Sequence, residues 1–214
     1  MATPVLDEPG FAQLGTGGMA PPPPALSHGG GGGDKTPMLF DPTRFGLWAF
    51  LGTISMLFIG FTSAYMLRRA SADWSPISAP RILWLNTAVL AGSSLTLELA
   101  RRRLRSRDLA GTAPFVGATG LLGVSFVTGQ FLAWRALRAE GVFLATNPHS
   151  SFFYMLTGIH VLHLSGGLVW FAVIATRLRR FAIGRGSDEL GLFATYWHFL
   201  GLLWAYLLFV LFVL

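Results

Sequence analysis

The chain has 214 residues, of which 52% are hydrophobic and 12% charged, with a net charge of +6 and a mean hydropathy of +0.54. Soluble domains carry about twice that charged fraction, roughly 25%, so an ordinary water-soluble domain and a wholly disordered chain are both excluded. The absence of cysteine excludes disulfides, thiolate-held clusters, Cys-type zinc sites and Cys nucleophiles.

Residues 1–44 differ in kind from the rest. They hold the run Pro21–Pro24 and the run Gly29–Gly33, with apolar residues scattered without period. Such a segment cannot bury enough surface to offset its ordering entropy. It reads as a flexible cytoplasmic tail with a short stiff polyproline piece. It lacks the basic start and apolar stretch of a signal peptide.

Residues 45–214 form the predicted membrane domain, with apolar runs at about 46–67, 82–100, 112–134, 150–176 and 190–214. Each is long enough to cross a hydrocarbon core of about 30 Å as a helix. Backbone groups in lipid must be paired within the segment, and barrel strands would alternate in polarity. The predicted fold is therefore all-α, a polytopic bundle of five transmembrane helices.

Arginine and lysine set the predicted orientation. With the tail inside, Lys35, Arg44, Arg101, Arg102, Arg103, Arg105, Arg107, Arg177, Arg179, Arg180 and Arg185 face the cytoplasm, against Arg68, Arg69, Arg81, Arg135 and Arg138 outside. The positive-inside rule then places the N-terminus in the cytoplasm and Leu214 on the outer side. The basic balance is thus read as topology rather than as a nucleic-acid surface. Trp74, Trp84 and Trp134 fall near predicted outer ends, where an amphipathic ring prefers to sit.

Ionisable residues inside a membrane are the usual pointer to function. Glu98 is the only carboxylate within the five runs before the last inner boundary, and it is expected to pair with Arg101 or Arg102 one turn on. His160 and His163 lie three apart on the fourth run and are expected to share a face. His198 lies on the fifth run. At about 1.5 Å per residue, His163 is roughly 20 Å and His198 roughly 12 Å from the inner ends of their helices. Two readings stand: histidines bonding across helices or to lipid head groups, the favoured one, and a bis-His haem or a metal site. Asn86, Thr87, Gln130 and Thr157 are expected to bond between helices, and Gly117, Gly120 and Gly123 to pack closely on one flank. Asn147-Pro148 marks the turn that starts the fourth helix, and His149 reads as a polar loop residue.

Two segments resemble a known family. Ser151-Phe152-Phe153-Tyr154-Met155-Leu156-Thr157-Gly158-Ile159-His160-Val161-Leu162-His163, followed by Gly166 and Gly167, is similar to the signature of haem-copper oxidase subunit III. Tyr196-Trp197-His198-Phe199 with Trp204 resembles that family's final-helix motif. Leu85-Asn86-Thr87, and Trp48-Ala49-Phe50-Leu51 with Phe58-Ile59-Gly60, resemble its shared earlier helices. The resemblance covers about residues 45–214 and keeps motif order. Five helices match the short bacterial forms, which lack the first two of seven. Ile54 stands where many members have a Glu, and Gly201 where they often have an Asp, so those roles are not carried over.

The resemblance implies a non-catalytic subunit III of a respiratory terminal oxidase in the bacterial plasma membrane. It implies no redox centre in this chain, haem and copper in a partner catalytic subunit I, a subunit II, other small subunits or a respiratory supercomplex, and bound phospholipids. It also implies support of proton uptake. His160, His163, Trp197 and His198 would then pack and bond between the fourth and fifth helices or meet lipid head groups. Arg177, with Arg179 and Arg180, would meet lipid phosphate. A quinol oxidase or nitric oxide reductase accessory subunit stays open within this reading; a cytochrome b-like protein or a small transporter stands outside it.

Overall fold

The computed structural model describes residues 41–75, 77, 80–180 and 186–213, with the side chains at 179, 180, 186 and 187 outside that description. Most of the predicted tail, residues 1–40, therefore lies outside the described residues. The described residues form five helices: α1 Pro42–Arg69, α2 Arg81–Arg105, α3 Leu109–Ala139, α4 Pro148–Arg180 and α5 Gly186–Phe212. All five are long and apolar enough to cross a membrane, and the protein is a multi-pass membrane protein.

Each helix begins before its apolar stretch. α1 begins at Pro42, so residues 42–44 are helical rather than part of the tail. Asp41 supplies the cap, accepting the Thr43 amide at 3.1 Å, with proline in the first turn where no amide partner is missed. Arg68 and Arg69 close the same helix, and Arg102, Arg103 and Arg105 close α2, where cations oppose the negative end of the helix dipole. Asp108 caps α3 by accepting the Gly111 amide at 2.8 Å. That bond, with Arg103 beside it, holds the Asp108 carboxyl below its ordinary range. Asn147 starts α4 reciprocally: its side chain accepts the Ser150 amide at 2.8 Å, and Ser150 Oγ accepts the Asn147 amide at 3.2 Å.

Two helix ends share one geometry. At the end of α2 the Arg107 amide donates to Leu104 and the Asp108 amide to Arg103; at the end of α3 the Gly141 amide donates to Arg138 and the Val142 amide to Leu137. Both are left-handed caps that recover orphaned carbonyls. Gly141 meets the required φ of +80° without strain, whereas Arg107 holds φ +60° with a side chain attached.

The tight turn at 106–108 folds α2 against α3, the most intimate pair in the bundle. α5 lies centrally, against α1, α2 and α4, and α3 packs on α4. Among the described helices the α1 backbone approaches only α4 and α5. The core is aromatic and aliphatic, centred on Trp197, Trp204, Phe126, Phe153 and Phe193. Small residues set the close approaches. A Cβ at Gly123 would lie 2.7 Å from Leu168 and 3.1 Å from Trp197, and one at Gly167 2.8 Å from the Tyr196 ring. Gly120 meets Phe171, while Gly117 of the same expected stripe faces open space.

Candidate functional site

The motif residues fall in the middle of the bundle, where α4 and α5 meet α2 and α3. They do not converge on one point. His160 is fully buried, its ring stacked on Trp204 of α5 at 5.3 Å and edge-on to Phe126 of α3 at 6.0 Å. His163, one turn on, faces α1 instead, with its ring 6.2 Å from Phe58 and its Nδ1 2.8 Å from the Ile159 carbonyl. The two therefore look to different neighbours, because a three-residue step rotates a side chain by about 60° around the helix. The Tyr196 hydroxyl donates to the His163 carbonyl at 2.8 Å, which ties α5 to α4.

Trp197 is buried, its ring against Gly123 of α3 and Gly167 of α4 and its one hydrogen bond directed to α2. Its Nε1 donates to Ser93 Oγ at 3.0 Å, and Ser93 in turn donates to the Thr119 carbonyl of α3 at 3.3 Å. Trp204 Nε1 donates to Thr87 Oγ1 at 3.0 Å in the same direction, and Trp134 Nε1 donates to Thr157 Oγ1 at 3.1 Å between α3 and α4. His198 is half-buried, with Glu98 and Arg101 of α2 as its charged neighbours. A haem held between two of these histidines needs imidazoles facing across one plate. His160, His163 and His198 instead meet Trp204, Phe58 and the α2 ion pair.

Glu98 pairs with both expected partners, Arg101 at 2.8 Å and Arg102 at 3.5 Å. Arg177 is 60% exposed and donates to Glu189 of α5 at 3.0 Å, bridging α4 and α5 at the arginine-rich end. The side chains of Arg179 and Arg180 lie outside the described residues. A cleft of about 440 Å³ opens at that end between α1, α2 and α5, lined by Arg44, Arg101 and Arg105 with Trp48, Thr195 and Asp188. The sequence assigns Arg44 and Arg105 to orientation and Arg101 also to the Glu98 pair, not to a common cleft. Their spacing along separate helices carries no signal that they meet.

His149 is the clearest departure from expectation. It is 2% exposed, not a free loop residue. Its Nδ1 accepts the Ile77 amide at 2.9 Å, which leaves Nε2 to carry the proton and donate to the Leu211 carbonyl at 3.1 Å. Its ring stacks on Trp74 at 5.1 Å and meets Tyr65 edge-on at 6.0 Å. Trp74 is thus packed within the protein. Of the three tryptophans assigned to the membrane interface, Trp84 is the one that is exposed, at 63%. Thr87 and Thr157 bond between helices as expected; the Asn86 amino group and both polar atoms of Gln130 have no partner among the described residues.

The chain is similar to known proteins over most of its length. The family model for cytochrome c oxidase subunit III matches residues 26–214. The chain is 30% identical over 181 residues to cytochrome c oxidase subunit 3 of Synechocystis, covering 81% of this chain and 76% of that one. It is 32% identical over 156 residues to the probable cytochrome c oxidase subunit 3 of Nocardia farcinica, covering 70% and 76%. It is also 29% identical over 168 residues to the cytochrome bo(3) ubiquinol oxidase subunit 3 of Pseudomonas aeruginosa, covering 76% and 80%.

Proposed function

The chain belongs to the cytochrome c oxidase subunit III family, and on that premise we propose that it is a non-catalytic core subunit of a proton-pumping respiratory terminal oxidase. It sits in a bacterial plasma membrane with its N-terminus cytoplasmic. Subunits I and II and any smaller partners hold the haems and copper. This chain stabilises the catalytic subunit, supports proton uptake and binds structural phospholipid.

The observation that carries the reading is what the motif residues touch. Trp197, Trp204 and Tyr196 donate to Ser93, Thr87 and the His163 carbonyl, each on another helix. The signature thus stitches helices together, which is the work of a scaffold. Phospholipid binding is supported by the cleft of Arg44, Arg101 and Arg105, whose guanidiniums and flanking Trp48 suit an anionic head group above an acyl chain. Arg177, held by Glu189, sits on the same arginine-rich end.

Purification of the native complex through a tag on this chain tests the proposal. Haem bands that travel with a larger subunit, and are absent from this chain purified alone, are expected. Haem retained by the isolated chain and lost in His160→Ala or His198→Ala would make it a redox protein and overturn the reading. The likeness to the Pseudomonas aeruginosa ubiquinol oxidase subunit favours a second reading, a quinol-fed complex. The presence or absence of a copper-bearing cytochrome c docking subunit in the same preparation separates the two.

A further inference from the structure

Three buried polar side chains lie close together and unpartnered. Asn86 Nδ2, both polar atoms of Gln130 and both ring nitrogens of His160 have no hydrogen-bond partner among the described residues. All three residues are nearly or fully buried. Their juxtaposition follows from the packing around them. On α3, Phe126 meets the His160 ring, and Trp134 bonds to Thr157. Gln130 is one turn from each, so it faces α4 between Thr157 and His160. Asn86 lies against the α3 backbone at Gly129, so closely that a Cβ there would collide with its carboxamide. Next to Asn86, Thr87 accepts from Trp204, whose indole face covers His160.

We propose that this junction of α2, α3 and α4 is a binding site for water, with Gln130 and His160 bridged by at least one bound molecule and Asn86 at its edge. A carboxamide offers donors and an acceptor, and an imidazole offers one donor and one acceptor in either tautomer. Water complements both without a charge. Buried waters of this kind make two to four hydrogen bonds to groups that would otherwise be unsatisfied. Lipid supplies no alternative partner at this depth. Glu98 is twelve residues along α2 from Asn86, about 18 Å, so that carboxylate does not reach the site. The site lies apart from the arginine-lined cleft and stands whether or not that cleft holds lipid.

A cryo-electron-microscopy map of the assembly purified through this chain, at a resolution that shows ordered water, tests the site. Density within hydrogen-bonding distance of both Gln130 and His160 is expected, and its loss is expected in Gln130→Leu and in His160→Phe. A Gln130 carboxamide bonded directly to His160, or side chains in contact with no density between them, would overturn the proposal. If a variant fails to assemble, the unmodified map decides alone. If the chain purifies without an oxidase, the functional reading falls while the same density test still decides the water.

Discussion

His149 Nδ1 accepts the backbone amide of Ile77 at 2.9 Å, so a residue at the head of α4 fixes the loop between α1 and α2. The opposite nitrogen reaches the Leu211 carbonyl in the last turn of α5, a carbonyl that has no partner within its own helix. One imidazole therefore joins three chain segments. His149→Phe keeps an aromatic ring for Trp74 and Tyr65 but removes both bonds. A loss of about 1–2 kcal/mol is expected, from the unpaired Ile77 amide and a Leu211 carbonyl left with only the Tyr65 hydroxyl at 3.5 Å. Thermal unfolding of the purified complex reads it, and a midpoint equal to that of the parent would refute the clamp.

The Trp197–Ser93 bond is expected to contribute modestly. Interhelical hydrogen bonds in membranes average about 0.6 kcal/mol, because the separated helices also find partners. A double-mutant cycle with Trp197→Phe and Ser93→Ala should give coupling of that order. Additive effects would mean that Trp197 acts through its buried volume alone.

Glycine positions should divide by what faces them. Gly167→Ala pushes into the Tyr196 ring, which cannot swing away without breaking its bond to the His163 carbonyl. A cost of about 1–3 kcal/mol is expected from overpacking. Gly60 has nothing within 4 Å of an added Cβ, so Gly60→Ala should leave stability unchanged or raise it slightly. Equal behaviour of the two variants in a denaturant titration of the isolated chain would contradict this packing.

Acid should weaken the α3 cap. The Asp108 carboxyl is held low by the Gly111 amide and Arg103, so its contribution is complete above the unfolded carboxylate pKa of about 4. It is lost as pH falls through the lower folded value. Asp108→Asn keeps a capping oxygen but no charge. The stability gap between parent and variant should be constant near neutral pH and shrink on acidification. A gap that widens with acid would reverse the assigned sign.

Arg44→Gln with Arg105→Gln should reduce the phospholipid that co-purifies with the complex, and Arg177→Ala should do so less, since Arg177 does not line the cleft. Lipid mass spectrometry of the purified complex measures both. Unchanged lipid content in the double variant, with normal assembly, would remove the cleft as a head-group site.

The five helices were legible because lipid leaves a spanning segment no other way to pair its backbone. Their ends were less so. α2 runs on through Arg101–Arg105 because arginine is a good helix former that suits a C-terminal turn, not because it is apolar. The Glu98 pair could be read from its spacing. The partners of Trp197, Trp204 and His149 lie 62 to 117 residues away, or 72 for Ile77, and no local pattern encodes which distant helix an indole will meet. The turn signal at Asn147-Pro148 marks the helix start, yet it gives no sign of the burial of His149, since the α1–α2 loop and the last turn of α5 cover that residue.

The central place of α5 has a consequence in time. Four helices leave the ribosome before it, and among them α1 has only α4 to lean on. Insertion of α5 brings together Tyr65 with Leu211, Trp204 with Thr87 and Tyr196 with the His163 carbonyl, on three sides at once. Until that step the protein is a hairpin-led trio with a loosely held first helix. Maturation is therefore a closing event, in which the helix inserted after the others acts as keystone, and a nascent chain halted before α5 should be open to membrane proteases that the finished bundle resists.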